Sequence, residues 1–341
     1  MIRVAINGFG RIGRAFVRAA HETGADVDIV AINDLGDAEN LAYLLKYDSV
    51  YGKAQFPISV ANGKLMMGKW EAQVVAEKDP AALPWGTMNV DVVVECTGLF
   101  TDYAKAKAHL TAGAKKVVIS APAKGNPVEA GVSGATVLMG LNEEKLGACQ
   151  ITSNASCTTN ASSPVIVILD EAIGIEKAIL NTTHSYTATQ ALIDGPSKKG
   201  PREGRAAALN MIPSSTGAAI AVTQAYETLA GKFDGISIRV PTPAGSIADI
   251  TFIAKRPTTV EEVNAALRAA AKSERWSGVF AVSEEELVSS DIVGDSHGSI
   301  ADLTMTRVVD GNLVKVLAWY DNEMGYTHTL LRHVLKAGAT V

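Results

Sequence analysis

The most restrictive feature of this sequence is a glycine-rich turn that directly follows a short apolar strand. Val4 and Ile6 alternate as strand residues do, and residues 8–13, GFGRIG, lead from them into a predicted helix that ends near Ala20. Glycines at a strand-to-helix turn allow tight curvature and let a pyrophosphate approach the N–H groups of the helix start. The pattern indicates a dinucleotide-binding βα unit, although by itself it is also compatible with an ordinary glycine-rich turn.

A second apolar segment supports the binding interpretation. Residues 27–32 are predicted as a strand and are followed by Asn33 and Asp34. An acidic side chain about 20 residues beyond the last glycine can accept hydrogen bonds from the adenosine ribose, whereas the alternative is a surface aspartate. A carboxylate there would also repel a 2′-phosphate, and Leu35 and Gly36 offer no neighbouring cation. The sequence therefore favours NAD over NADP.

Strand–helix–strand units continue to about residue 155. Residues 91–95 form the continuous apolar run of a buried parallel strand, residues 103–112 a helix that ends at Gly113, and residues 116–120 the next strand. Such recurring units are typical of a doubly wound parallel sheet.

Beyond residue 155 the pattern changes. Several segments alternate like antiparallel strands with one covered face, namely 178–186, 235–240, 247–254 and 313–320. We therefore predict an α/β protein with a Rossmann-type NAD-binding domain at 1–155, completed by a C-terminal helical segment at 321–341. The second domain, at 156–320, is predicted to be α+β with a mostly antiparallel sheet.

Composition excludes some classes of function. The 341 residues are 47% hydrophobic and 20% charged, with a formal net charge of −5 and no block of like charges. This balance does not favour nucleic acid or a membrane as the main partner, and no apolar run reaches the roughly 18 residues of a membrane span. Cys96, Cys149 and Cys157 are odd in number and widely spaced, so we expect no disulfide framework and a reducing, cytoplasmic setting. The six histidines show no metal-binding spacing, and we expect no metal site.

Cys157 stands where a polar turn, residues 153–160 (SNASCTTN), runs into a predicted helix over 158–172. A thiol at a helix start faces the positive end of the peptide dipoles and unpaired N–H groups, which lower its pKa and make the thiolate available. Cys157 is therefore a candidate nucleophile. The alternative is that the polar residues only cap the helix and that the thiol is a small buried apolar group.

Seven short segments form a pattern over essentially the whole chain. They are 6–14 (INGFGRIGR), 31–34 (AIND), 153–160 (SNASCTTN), 184–187 (HSYT), 216–219 (TGAA), 239–242 (RVPT) and 319–323 (WYDNE). In order and spacing these segments resemble the glyceraldehyde-3-phosphate dehydrogenase family. The resemblance implies an NAD-dependent oxidoreductase of glycolysis or gluconeogenesis that oxidises D-glyceraldehyde 3-phosphate, with inorganic phosphate, to 1,3-bisphosphoglycerate.

The resemblance also implies the catalytic residues. In that family the cysteine matching Cys157 attacks the aldehyde to give a hemithioacetal, which cedes hydride to the nicotinamide and becomes a thioester that phosphate cleaves. The histidine matching His184 favours the thiolate and accepts the hemithioacetal proton. Without this resemblance, His184 would be interpreted as a hydrogen-bonded core histidine at a strand end.

Two groups of residues are implied for the two anions, substrate and inorganic phosphate. They are Thr187, Arg205 and Arg239 on the substrate side, and Ser156, Thr158, Thr216 and Gly217 on the inorganic-phosphate side. For each serine and threonine the alternative is turn capping. Arg239 is the most informative, because an arginine within a sheet strand must otherwise reach solvent or a carboxylate.

A third group is implied for the cofactor. It comprises Gly8, Gly10, Arg11, Ile12 and Gly13 at the pyrophosphate, Asp34 at the ribose, Lys78 and Ser120 near the adenosine and ribose portions, and Asn322 at the nicotinamide carboxamide. Tyr326 could lie against the same ring. For Lys78 the alternative is an ordinary solvated loop lysine.

Two stretches depart from the family pattern. Ala161 stands where many members carry a second cysteine, and residues 244–246 (AGS) replace a common Asn-Val-Ser. Glycine in a strand predicts a bulge or an altered subunit contact. The loop at 187–205 packs in the family near the neighbouring subunit's cofactor, so the resemblance implies a homotetramer.

Two other functions remain open at this point. Erythrose-4-phosphate dehydrogenase shares the fold, the cysteine and the histidine, although residues 186–189 (YTAT) follow the glyceraldehyde enzyme's pattern. The chain could also be an NAD-sensing or RNA- or protein-binding module that has lost the reaction, since a fold alone does not define a function. The presence of Cys157, His184 and Arg239, and the acidic balance, disfavour the second alternative.

Overall fold

All 341 residues are described by the computed structural model, and they divide into two units. The first unit comprises residues 1–155 and 327–341, and the second comprises residues 156–326. Each unit has a large sheet of its own, with nine and seven strands. None of the helices has the length and apolar composition needed to cross a membrane.

The first unit contains a parallel core with an antiparallel extension. Its strands are β1 (Ile2–Asn7), β2 (Val27–Asn33), β3 (Tyr47–Asp48), β4 (Gly52–Lys53), β5 (Ile58–Ala61), β6 (Lys64–Met67), β7 (Trp70–Val75), β8 (Val92–Glu95), β9 (Lys116–Ile119), β10 (Gly134–Thr136) and β11 (Ile151–Ser153). Its helices are α1 (Arg11–Glu22), α2 (Ala38–Lys46) and α3 (Tyr103–Thr111).

The nine strands lie in the order β10-β11-β9-β8-β1-β2-β7-β6-β5. Neighbours from β10 to β7 are parallel, and only the β6 and β5 pairings are antiparallel. All residues of β8 and β9 are buried, as expected for parallel strands covered on both faces. Asn7 pairs with both Asn33 and Glu95, so the carboxyl ends of three strands meet at one edge, which is where ligands bind in doubly wound sheets.

The second unit is built around a mixed sheet. Its strands are β12 (Ile175–Ser185), β13 (Ile212–Ser215), β14 (Phe233–Val240), β15 (Ser246–Ala254), β16 (Phe280–Ser283), β17 (Ser299–Val309) and β18 (Leu313–Tyr320). Its helices are α4 (Cys157–Ile173), α5 (Ala218–Ala225) and α6 (Val260–Ala271). The last helix, α7 (Met324–Gly338), extends across residue 327, where the chain returns to the first unit.

The strand order in the second sheet is β13-β14-β12-β15-β18-β17-β16. Four neighbouring pairs are antiparallel, and the pairs β12–β14 and β16–β17 are parallel. The predicted α/β class, with a Rossmann-type unit and a mostly antiparallel second sheet, is confirmed. β12 and β14 are parallel because the connection between them is long and contains α5, as a parallel crossover requires.

The second sheet positions the candidate catalytic residues. In the parallel pair β12–β14, His184 lies directly opposite Arg239. Tyr320 ends β18, and α4, which begins at Cys157, packs on the same sheet through β15, β17 and β18. Side chains from the ends of three strands and from one helix start therefore converge.

Candidate active site

The glycine turn before α1 requires its glycines for steric reasons. Gly8 has φ +92°, and a Cβ there would lie 2.7 Å from the Thr97 nitrogen. A Cβ on Gly13 would lie 2.4 Å from the carbonyl oxygen of Gly8. Gly10 precedes α1 in an extended conformation and provides no side-chain cap. The helix start is therefore exposed at the backbone and suited to an anion such as a pyrophosphate.

Asp34 connects this turn to the end of β2. Its carboxylate accepts hydrogen bonds from the Phe9 N–H at 2.7 Å and the Gly36 N–H at 2.9 Å. A carboxylate has about four acceptor positions, so two remain for ribose hydroxyls. The Arg11 guanidinium pairs with Asp48 at 2.9 Å, which leaves its backbone rather than its side chain as the candidate pyrophosphate contact.

The two remaining cofactor candidates of the first unit lie after strands of the parallel core. Ser120 directly follows β9, and its N–H donates to the Glu95 carbonyl at 2.9 Å. Lys78 lies in the segment after β7 and is exposed. Both are at the carboxyl side of their strands, as are the glycine turn and Asp34.

Cys157 is the first residue of α4, one position earlier than the sequence predicted. Its Sγ lies 3.3 Å from Nε2 of His184, whose side chain is buried in β12. Ser156 caps the helix, because its Oγ accepts the Thr159 N–H at 3.1 Å. Capping and the cysteine–histidine contact therefore occur together, and the interpretation of 153–160 as capping alone is incomplete.

The backbone immediately before this cap is strained. Ala155 has φ +55°, a left-handed conformation that non-glycine residues rarely adopt. Such residues cost about 1–3 kcal/mol and cluster at functional sites. Ala155 lies between β11 and α4, two positions before Cys157.

The expected net decrease in the pKa of Cys157 is contradicted. Burial raises the pKa of the thiol, and the Arg239 cation and hydrogen bonds from Thr158 only partly oppose this. Burial, followed by the Arg239 cation, lowers the pKa of His184 to about 3. The helix start acts in the predicted direction, but burial is larger. These directions favour the neutral thiol and imidazole at rest, and transfer of the thiol proton to His184 creates two opposite charges 3.3 Å apart, whose attraction opposes the cost of desolvation.

The other imidazole nitrogen of His184 has two polar neighbours. Nδ1 lies 2.6 Å from the Ser185 carbonyl oxygen and 2.7 Å from a terminal guanidinium nitrogen of Arg239. A guanidinium can only donate, so Nε2 is the acceptor facing Cys157 only in the tautomer in which Nδ1 donates to Ser185 and Arg239 donates to the same Ser185 carbonyl, at 3.3 Å. Arg239 has no carboxylate partner, and its buried Nε has no hydrogen bond at all. The alternative of a carboxylate partner is therefore wrong for Arg239, which is half-buried, and a guanidinium without a carboxylate partner is suited to a substrate anion.

Tyr320 is a site residue that sequence reasoning missed. Its hydroxyl lies 2.9 Å from Thr158 Oγ1 and 2.8 Å from Thr182 Oγ1, and its ring packs edge-on against His184. Burial raises the pKa of this hydroxyl, so it stays protonated. Its position inside the segment 319–323 is the only sequence signal that could have identified it.

The predicted phosphate residues occupy two regions of the second unit. Thr216 Oγ1 accepts the Ala218 N–H at 3.2 Å at the start of α5, and Thr159 Oγ1 donates to the Ala218 carbonyl at 3.4 Å. The starts of α4 and α5, with Ser156, Thr158, Thr216 and Gly217, are therefore adjacent.

On the substrate side, Thr187 Oγ1 lies 3.0 Å from Thr189 Oγ1. Arg205 instead forms an exposed ion pair with Asp194 at 2.9 Å, so the structure does not bring it to Cys157 by any contact.

Asn322 follows β18 and is buried. Its side-chain oxygen accepts a hydrogen bond from the Ser246 hydroxyl at 3.0 Å. Gly245 lies in the turn before β15 with φ +85°, and a Cβ there would lie 2.2 Å from the Ser289 carbonyl oxygen. Gly245 is therefore required by the conformation of the turn before β15. The prediction that this glycine lies inside a strand is wrong. No group of three or more His, Cys, Asp and Glu side chains is arranged to hold a metal ion.

A parallel sheet with an uncapped glycine turn, together with a cysteine at another helix start that contacts a buried histidine, is typical of nicotinamide-dependent dehydrogenases that use a thiol nucleophile. Comparison with known proteins defines the class further. Residues 2–103 match the family model for the NAD binding domain of glyceraldehyde 3-phosphate dehydrogenase, and residues 156–322 match that for its C-terminal domain.

Similar proteins carry the same name. A glyceraldehyde-3-phosphate dehydrogenase from Mycobacterium avium is 47% identical over 100% of this chain and 99% of its own length. One from Clostridium pasteurianum is 48% identical over 97% of both chains, and glyceraldehyde-3-phosphate dehydrogenase 1 of Streptomyces avermitilis is 46% identical over 100% and 99%. The chain belongs to the glyceraldehyde-3-phosphate dehydrogenase family.

Proposed function

We propose that this protein is the NAD-dependent, phosphorylating enzyme that oxidises D-glyceraldehyde 3-phosphate to 1,3-bisphosphoglycerate in glycolysis or gluconeogenesis. The observation that carries the proposal is the 3.3 Å contact between Cys157 Sγ and His184 Nε2 at the start of α4, in a chain of this family. A thiol paired with an imidazole is the arrangement that nucleophilic catalysis at a carbonyl requires.

The reaction begins when the Cys157 sulfur adds to the aldehyde carbon and His184 takes the thiol proton. Addition gives a tetrahedral adduct that carries a negatively charged oxygen. This oxyanion is stabilised by N–H groups at the start of α4, where the helix dipole favours negative charge. NAD, when bound, would supply the hydride acceptor. The C–H bond of the carbon attached to Cys157 would break with loss of hydride, and the oxyanion would re-form C=O to leave a thioester on the sulfur. Inorganic phosphate then attacks this thioester, the acyl phosphate leaves, and the sulfur is released to be reprotonated.

Charged and polar side chains hold the two anions in this proposal. Arg239, which is half-buried and has no carboxylate partner, binds the phosphate of the substrate together with Thr187. The inorganic phosphate is held at the adjacent starts of α4 and α5, to which Ser156, Thr158, Thr216 and Gly217 belong. We keep Arg205 as a substrate residue only on the family resemblance, since its observed partner is Asp194.

The cofactor residues are proposed on the fit of their groups to NAD. The glycine turn, through Gly8, Gly10, Gly13 and the backbone of Arg11 and Ile12, would accommodate the pyrophosphate, and Asp34 the ribose. Asn322 would donate to the nicotinamide carboxamide. Lys78 and Ser120 would lie near the adenosine and ribose portions.

The assembly is proposed to be a homotetramer of the family type. Four large apolar side chains between residues 187 and 211 are strongly exposed: Leu192 at 83%, Ile193 at 77%, Leu209 at 83% and Met211 at 76%. Such a group on one segment is typical of an interaction surface. We also propose a cytoplasmic location, supported by three cysteines that are all unpaired.

The test is NADH formation from D-glyceraldehyde 3-phosphate with phosphate or arsenate as acceptor. We expect turnover that depends on the acceptor and is faster than turnover of D-erythrose 4-phosphate, with the Cys157→Ser variant as the inactive control. Equal or faster oxidation of the erythrose substrate would contradict the proposal. Absence of activity with both aldehydes, together with intact NAD binding, would favour a binding module.

A further inference from the structure

A buried hydrogen-bond chain connects the strand of His184 to the side chain of Asn322. The Ser185 N–H donates to Ser246 Oγ at 3.1 Å, and the Ser246 hydroxyl lies 3.0 Å from the Asn322 side-chain oxygen. All three residues are buried, with exposed fractions of 0%, 1% and 6% in chain order. The chemistry of the donors and acceptors determines which end of the amide points outward.

The direction of each hydrogen bond follows from the groups involved. A backbone N–H can only donate, so Ser246 Oγ accepts from Ser185. The remaining hydroxyl proton of Ser246 finds its acceptor in the Asn322 oxygen. Rotating the amide by half a turn would face its NH2 group to Ser246 and leave that buried hydroxyl proton without an acceptor, which is unfavourable. The NH2 group of Asn322 is therefore presented outward, and it makes no hydrogen bond within the protein.

The backbone on either side of the Ser246–Asn322 hydrogen bond is held in place by close contacts and hydrogen bonds. The Ser246 hydroxyl follows Gly245, whose φ of +85° and close approach to the Ser289 carbonyl admit no Cβ. On the other side, the buried Asp321 carboxylate accepts the Glu323, Met324 and Gly294 N–H groups at 2.8 to 2.9 Å. Ala244 and Gly245 depart from the family pattern, whereas the serine at 246 is common to both patterns, so the departure concerns the turn that leads to Ser246.

We propose that Ser246 is a positioning residue that sets cofactor specificity. Its hydroxyl occupies the side-chain oxygen of Asn322, so only the NH2 group of Asn322 is available to a ligand, and that group can only donate a hydrogen bond. The pyridine ring accepted at this position must then carry a 3-substituent with a carbonyl acceptor, whereas an amino group on that substituent is not required. This inference rests on the proposed function, in which Asn322 faces the nicotinamide carboxamide.

The test is equilibrium binding by calorimetry, without turnover, for three ligands: NAD, 3-acetylpyridine adenine dinucleotide and ADP-ribose. The acetyl analogue keeps the carbonyl and lacks the NH2 group, and ADP-ribose lacks the ring. The parent should bind NAD and the acetyl analogue equally within about threefold, and both more tightly than ADP-ribose. Ser246→Ala should weaken NAD about three- to tenfold, as expected for one hydrogen bond, and leave ADP-ribose unchanged.

Two further variants separate positioning from folding. Ser246→Cys keeps the volume but provides a weak donor, so its NAD affinity should lie between those of the parent and Ser246→Ala. Ser237→Ala is the matched control, because Ser237 is 1% exposed and its hydroxyl has no hydrogen-bond partner. This control should leave the affinities for all three ligands unchanged.

The outcomes distinguish the two levels of the argument. Equal loss of NAD and ADP-ribose affinity in Ser246→Ala, no loss at all, or a parent that binds the acetyl analogue much more weakly than NAD would overturn the role of Ser246. If the parent binds NAD no more tightly than ADP-ribose, or if Asn322→Ala leaves NAD binding intact, the proposed role of Asn322 itself fails.

Discussion

The starts of α1 and α4 differ in a way that separates ligand binding from catalysis. Gly10 and Ser156 precede the two helices in extended conformations, but only Ser156 has a side chain that caps, accepting the Thr159 N–H at 3.1 Å. The first turn of α1 is left for an external anion. The first turn of α4 is partly satisfied by the protein and carries a nucleophile instead. The same helix-terminus electrostatics thus serves a ligand at one site and a reacting side chain at the other.

The comparison also shows what a helix start does not achieve alone. At α1 the backbone can approach a ligand because Gly8 and Gly13 lack a Cβ. At α4 burial raises the pKa of Cys157 despite the helix dipole. A reactive thiolate there depends on the neighbouring imidazole and on the Arg239 cation, which are supplied by the strands β12 and β14.

The largest expected effect is that of removing the thiol at α4. Cys157→Ser should lower turnover of glyceraldehyde 3-phosphate by about 10⁴-fold or more, because hydroxyl addition to the aldehyde lacks an easily formed anion. NAD affinity should be retained, since the α1 turn is intact. Steady-state kinetics and NAD titration of the same preparation check both parts, and substantial residual turnover would disprove the role of the sulfur.

Replacing the base should have the next largest effect. His184→Asn should slow turnover by about 10²–10⁴-fold, the usual contribution of general acid–base catalysis, without loss of NAD binding. Alkylation of Cys157 by iodoacetamide at neutral pH should slow as well, because the proton acceptor is gone. An unchanged alkylation rate would show that the start of α4 activates the thiol without His184. It would contradict the conclusion that a reactive thiolate at α4 depends on the neighbouring imidazole.

How far the sequence could predict this arrangement depends on the range of the interactions involved. The glycine turn, the buried runs of β8 and β9 and the helix after Cys157 are local patterns, and they were predicted nearly to the residue. β17 was missed because its first five residues are all buried, so the alternation typical of a half-covered strand is absent there.

The pKa of Cys157 and the roles of Tyr320 and Ser246 could not be predicted in the same way. Burial of the thiol is a tertiary property, contributed by elements distant in the chain. Tyr320 reaches Thr158 across 162 positions, and Ser246 reaches Asn322 across 76. Family resemblance placed Cys157, His184 and Arg239, but it did not indicate the hydrogen bonds that orient them.

A smaller effect is expected from filling the α1 turn. Gly13→Ala places a Cβ 2.4 Å from the Gly8 carbonyl, a backbone atom that cannot move without opening the turn. NAD affinity should fall about 10–100-fold, in line with the 1–3 kcal/mol of typical overpacking. Alkylation of Cys157 should not change. If alkylation slows in parallel with NAD binding, the two helix starts are not independent.

Acidification should affect both units to a similar extent. Burial lowers the pKa values of His184 and His333 to about 3, while in the unfolded chain each lies near 6.5. Only the unfolded state therefore gains protons as the pH falls below about 6.5, so stability is complete above this pH and is lost towards pH 3. Each histidine should contribute up to about 1.4 kcal/mol of loss per pH unit, measured as the free energy of unfolding. His333→Asn should reduce the slope of the unfolding free energy against pH by the contribution of one histidine. An unaltered slope would contradict the inference that His333 is buried and neutral.

The smallest effect tests the comparison most directly, by exchanging the caps. Gly10→Ser fits sterically, because a Cβ there meets no atom within 4 Å, and its hydroxyl can cap α1 as Ser156 caps α4. The free energy of unfolding should rise by a few tenths of a kcal/mol, while NAD affinity should fall, because the hydroxyl competes with the pyrophosphate for the same N–H groups. Ser156→Gly should lower stability by a similar amount and leave NAD affinity unchanged. Chemical denaturation and NAD titration of both variants decide the matter: tighter NAD binding in Gly10→Ser would mean that the uncapped start of α1 is not the anion site.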